Sequence, residues 1–148
     1  MAIDSLIAAK TVCELRDWNA SNLEIQKTLY IAHMVSLGRS DGAHPLVTES
    51  FQAWDYGPVL PKVYDKAKIF GDSPVKNVFQ TYPSIPSCNE MEIIKETIDI
   101  LRGKSAGALV AITHWEKGAW ASHYRPGAKS ITIPNSDILK EYKNRVHP

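Results

Sequence analysis

Apolar positions along the chain fall into short helical stripes separated by turn-rich breaks. Ile3, Leu6, Val12 and Leu15 recur on one broad side of a helix predicted over residues 3–17, which "DWNASN" interrupts. Ser21 and Glu24 have the spacing of a capping box, in which a hydroxyl and a carboxylate each satisfy one amide at a helix start. The helix beginning near residue 22 then places Leu23, Gln26, Tyr30, His33, Met34 and Leu37 within one stripe, with Gly38 positioned to cap its end. After the turn-rich "RSDGAHP", the imperfect alternation of "LVTESFQAW" predicts a short strand at 47–54. Tyr56-Gly57-Pro58 turns the chain. Pro61 suits the first turn of a following helix, where its missing N–H costs nothing.

Residues 71–89, "GDSPVKNVFQTYPSIPSCN", show no sustained period and contain Pro74, Pro83 and Pro86, so they read as an irregular excursion. Ser87 and Glu90 repeat the capping-box spacing and open a helix on which Met91, Ile94, Ile98 and Leu101 recur until Gly103. Ser105 starts a further helix predicted to run to Lys117, where Gly118 stops it. "AWASHY" reads as a short turn and "KSITIP" as an extended segment. Asn135 is expected to cap a last helix built on Ile138, Leu139, Tyr142 and Val146. The expected fold is mainly α (α+β): a single compact helical domain over 1–148 with a small antiparallel β element near residues 47–54.

Composition adds a size and a setting. A chain of 148 residues, 44% apolar and 22% charged, can bury a core without disulfides or a structural metal. Cys13 and Cys88 have no CxxC or Cys/His ligand spacing and read as two buried reduced thiols of a cytoplasmic protein. "MAIDSLIAAK" lacks the basic start of a secretory signal, and no segment reaches the length of a membrane span, so no membrane partner is expected. Seventeen Lys and Arg against sixteen acids leave a net charge of +1, which argues against direct DNA binding. The most basic run, "LKEYKNRVHP", reads as a solvated helix face or a frayed end.

Candidate chemistry is thin. His33 lies on the apolar stripe between Leu29 and Leu37 and reads as a hydrogen-bonded core histidine. In His114-Trp115-Glu116 the base and the acid are helix neighbours or near-neighbours that cannot share one substrate atom. No HxxxH or HExxH spacing brings His33, His44, His114 and His123 together around a metal, and no GxSxG, P-loop or GxGxxG is present. No catalytic, cofactor or metal site is therefore expected. Trp54, Tyr56, Trp115, Trp120 and Tyr124 could form a stacking surface, but aromatic residues in such a domain more often build core.

The order of four motifs carries more information. "LEIQKTLYIAH" (23–33) resembles the L-x-x-Q-K-L-L-Y-x-A helix of the Panacea domain, the SocA-like antitoxin or GepA phage-associated family. "FQAWDYGPVLPKVY" (51–64) is similar to that family's F-x-A-W-x-Y-G-P-V-x-P-x-V-Y, and "LVAITHWEKGAW" (109–120) to its L-x-x-x-T-H and following P-W. "IPNSDILKEY" (133–142) resembles its closing I-x-x-x-x-I-x-x-Y. Ala119 departs from the pattern, standing where the family tends to have proline.

The resemblance implies a bacterial or phage antitoxin whose partner is a cognate protein toxin, neutralised by direct stoichiometric binding. An enzyme acting on the toxin or its product, or an adaptor delivering a partner to a protease, is the competing expectation. The resemblance implies that many relatives carry an additional N-terminal DNA-binding segment; about twenty residues precede the first strong motif here, so direct DNA reading is not expected. Gln26, Tyr30, Trp54, Gly57, Pro58, His114 and Trp120 are expected to be structural signature residues, with Phe51, Trp54 and Tyr64 anchoring the hairpin exit in the core. Asp55 and Tyr56, at a tight turn, and Val78, Phe79, Tyr82 and Ile85, in the irregular segment, are the expected partner contacts.

Overall fold

Asp4 starts the first helix: its carboxylate accepts from the Leu6 amide, and α1 runs Ser5–Leu15. Ile3 is left outside, forming a parallel bridge with Val47 in which its N–H donates to Leu46 O and its carbonyl accepts from Thr48. The structure, a computed structural model, describes residues 2–85, 88–128 and 130–147.

Helix α2 (Asn22–Arg39) begins with the capping box of Ser21 and Glu24 complete in both directions. Every residue from Ile25 to Met34 is buried, because α2 packs against α1, α4 (Asn89–Leu101), α5 (Ala106–Thr113) and α7 (Asn135–Val146). A helix covered on all sides has no solvated face on which to leave polar residues. Gln26, Lys27, Thr28, His33 and Ser36 are accordingly all inside.

Gly38 does not cap this helix. It lies inside the last turn, where an added Cβ would land within the Tyr142 ring of α7, so glycine is there to let two helices approach. The chain leaves α2 at Ser40, with Asp41 and Gly42 at φ 52° and 90°.

The strand expected over 47–54 is shorter. β1 (Phe51–Trp54) pairs antiparallel with β2 (Gly57–Val59) and β3 (Thr132–Ile133), in the order β2-β1-β3. Phe51 and Ala53 face the core, Gln52 and Trp54 the outer side. Upstream, Glu49 instead accepts from the Ser5 amide and from Lys62, holding the chain to the start of α1. Pro61 occupies the first turn of α3 (Pro61–Ala67) as expected, and a 3-10 turn, Lys68–Phe70, continues it.

The irregular excursion is stitched down: Val75 N–H donates to Ala20 O, and Lys10 Nζ donates to Tyr82 O and to the Ser84 hydroxyl. The capping role expected of Ser87 lies outside the described residues; Cys88, half-buried, precedes α4 without a side-chain cap. Helix α5 is capped by Ser105 but ends at Thr113 rather than Lys117, followed by α6 (Ala119–His123). Asn135 does not cap α7. It is the first residue of that helix, and its side chain accepts from His33 Nε2.

That bond and a second one, Val47 N–H donating to His33 Nδ1, satisfy both ring nitrogens and fix the Nε2–H tautomer. Burial holds the imidazole below its usual range, with Asn135 partly offsetting it. The core-histidine reading is correct. Among the described residues no helix is long and apolar enough to cross a membrane.

Candidate functional site

Trp54 and Gly57 pair across a two-residue turn, leaving Asp55 and Tyr56 at the hairpin tip. Both are exposed, as the tight turn implies, and Tyr56 is 73% exposed. Beside the tip opens a cavity of about 380 Å³ with mostly apolar walls, lined by Leu23, Gln26 and Lys27 of α2, by Trp54, Asp55, Tyr56 and Val59, by Tyr64 of α3, and by Asp72. Trp54 and Tyr64 meet edge-on at 4.8 Å and are half-buried. They were expected to anchor in the core with Phe51. Only Phe51 does so: strand alternation turns Trp54 to the opposite side of the sheet, and Tyr64 of α3 packs against it there.

Lys27 is the residue that pattern reading passed over. It is 2% exposed, and among the described residues no hydrogen bond or ion pair reaches its amine. The contrast with Lys10, also buried but bonded to Tyr82 O and Ser84, is direct. Burial pushes the Lys27 amine down to about 7, since a desolvated cation without a counter-charge favours its neutral form.

Gly57 makes room for this amine. The residue adopts φ 116°, which favours glycine by itself, and a Cβ there would also sit 2.6 Å from Lys27 Nζ and 2.9 Å from Thr113 Oγ1. The positive φ is the kind of backbone conformation expected at Gly57. Gln26 fixes the neighbouring backbone: its amide donates to Leu60 O at 3.3 Å and accepts from Leu60 N–H at 2.8 Å, just before Pro61.

His114, at the end of α5, lies close enough to Lys27 for their charges to interact. Burial and then the Lys27 ammonium hold its imidazole below the usual value, and the Tyr56 carbonyl partly offsets them. Its Nε2 is buried without a hydrogen-bond partner among the described residues. The ring stacks on Trp120 at 3.7 Å, and Trp120 on Tyr124 at 4.5 Å. Trp120 Nε1 donates to Trp54 O at 2.7 Å and the Tyr124 hydroxyl to Asp55 at 2.6 Å. The three-ring stack therefore clamps the hairpin tip to α6.

Behind the stack, Tyr30 OH donates to Glu141 Oε1 at 2.7 Å, and so does Ala119 N–H at 2.9 Å. Arg145 Nε donates to Glu141 Oε2 at 2.9 Å, while its guanidinium lies over Trp115 at 4.6 Å. The basic C-terminal run is thus not wholly a solvated face. Glu141 is buried and Arg145 turns inward, because a carboxylate inside the fold must be neutralised there.

The remaining expected contacts divide. Phe79 is 0% exposed and Ile85 is buried, whereas Val78 and Tyr82 are half-buried against the core. Phe79 and Ile85 are therefore not available to a partner in this fold: segment 71–85 spends its apolar side chains closing the core over α1 and α2. Among the described residues no three His, Cys, Asp or Glu side chains could hold a metal ion together.

The family model of SocA-like antitoxins with the Panacea domain matches residues 25–121. The chain belongs to this family. Antitoxin SocA of Caulobacter vibrioides (strain NA1000 / CB15N) is 35% identical over 113 residues, which cover 68% of this chain and 57% of that protein. The chain thus spans little more than half the length of this curated relative. No solved structure matches it. The Panacea match contains the cavity residues from Gln26 to Asp72, His114 and Trp120, but stops before Tyr124, the third ring of the stack, and before α7, which supplies Glu141 and Arg145. At Ala119, the departure from the family pattern, the backbone N–H is a donor to Glu141 that proline could not provide.

Proposed function

We propose that the chain is an antitoxin that neutralises a cognate protein toxin by binding it mole for mole, acting as a binder rather than an enzyme. Membership in the SocA-like family supports the antitoxin role. The observation that carries the binding reading is the exposed Tyr56 beside an open, mostly apolar cavity that none of the described side chains fills. An exposed aromatic at the mouth of an apolar concavity is the usual makeup of an interface anchor. The reading needs no cofactor and no DNA contact, and it places the protein in the cytoplasm with its toxin.

One observation favours a second reading: Lys27 and His114 are adjacent nitrogen bases, both shifted toward their neutral forms, as proton-transfer groups often are. Stoichiometry separates the two. The purified product of the neighbouring open reading frame, titrated with this protein, should lose activity at an equimolar ratio and co-elute with it. Neutralisation of many toxin equivalents by one equivalent of protein would replace the binder with an enzyme.

A further inference from the structure

A buried ammonium with no counter-charge is costly, and one that lines an open cavity has an evident complement: an anion brought by the occupant. The acids already present do not serve. Asp55 is engaged by the Tyr124 hydroxyl, and neither it nor Asp72 pairs with Lys27. Burial is what lowers the amine, and the nearby titratable groups besides these acids are His114, whose charge would add to the penalty, and the phenols of Tyr56 and Tyr64.

We propose that this cavity receives one acidic side chain of the protein partner, whose carboxylate pairs with Lys27 while an adjacent apolar residue fills the space against Trp54, Tyr56 and Tyr64. The inference rests on the toxin-binding reading above and names the chemistry that the partner must present. Asp55 and Asp72 give the site selectivity, since they disfavour a densely acidic segment and tolerate a single carboxylate. Pairing favours the charged amine, so binding above neutral pH takes up a proton. A purely structural lysine would show no such uptake.

The test uses two blocked dipeptides, acetyl-leucyl-glutamyl amide and acetyl-leucyl-glutaminyl amide, titrated into the whole protein while the Tyr56 and Trp54 resonances are followed by NMR. The glutamyl peptide should bind about tenfold more tightly, a difference of about 1.4 kcal/mol. That preference should disappear in Lys27→Met and fade in the wild type as pH rises well above 7. Tyr56→Ser, at an exposed position, should weaken both peptides without changing their ratio. Equal affinities, no shift at Tyr56 or Trp54, or a preference retained by folded Lys27→Met would each overturn the proposal.

Co-expression with the neighbouring toxin separates this inference from the reading beneath it. If the wild type and Lys27→Met protect equally, the carboxylate site is wrong and the antitoxin reading stands. If the wild type fails to protect or to bind while the glutamyl preference holds, the antitoxin reading is wrong and a carboxylate site remains.

Discussion

Lys27 couples the stability of the fold to pH. Its folded value of about 7 lies below the ordinary 10.5, so between these limits the unfolded chain binds a proton that the folded one refuses. Stability should then rise with pH at up to about 1.4 kcal/mol per unit across that window, with the full penalty present below pH 7. Lys27→Met keeps the volume and removes the charge. It should be more stable than the wild type at pH 6–7, with the advantage shrinking toward pH 10, as urea midpoints at several pH values would show. An unchanged difference across that range would mean that the amine is not desolvated. Gly57 is the companion residue: Gly57→Ala forces a side chain into φ 116° and against the amine, and should cost at least about 1–3 kcal/mol in the same assay.

Between elements, α2 and α7 come close at Gly38, where the Tyr142 ring occupies the space a Cβ would need. On helix propensity alone, Gly38→Ala should stabilise by about 1 kcal/mol. The added Cβ would instead meet the Tyr142 ring, so the variant should be destabilised, by about 1–3 kcal/mol if the helices part only slightly. Gly38→Ala combined with Tyr142→Leu should recover much of the loss, and calorimetric melting of the single and double variants reads this out. The 71–85 segment has the opposite character, an irregular element held by its side chains. Phe79→Ala should cost about 3–5 kcal/mol, the penalty of emptying a packed aromatic site, and should lower protease resistance generally rather than partner affinity alone.

For the whole molecule, Glu141 is the junction: it joins Tyr30 of α2, the start of α6 and Arg145 of its own helix. Tyr30→Phe leaves Oε1 with one donor in place of two and should cost about 1–3 kcal/mol. Ala119→Pro removes the other donor. If the network acts as one unit, the double variant should depart from the sum of the singles, whereas strict additivity would mark two independent contacts. At the alkaline end, burial and the Glu141 charge raise the Tyr30 phenol well above 10.0, so stability should fall again once the unfolded phenol ionises.

Local chemistry was legible in the sequence: the Ser21–Glu24 box, the Pro61 helix start, the turn exposing Asp55 and Tyr56, and the mainly helical plan with a small antiparallel element. Each depends on residues a few positions apart, where backbone geometry alone decides. The order of the family motifs was legible as well. The role of Gly38, the partner of Asn135, the burial of Phe79 and the inward turn of Glu141 were not, because each depends on an element distant in the chain. Lys27 is the clearest case. A lysine on a helix reads as solvated until neighbours cover that helix on every side, and only the hairpin folded over it leaves Lys27 buried beside a cavity, with no hydrogen bond or ion pair to its amine among the described residues.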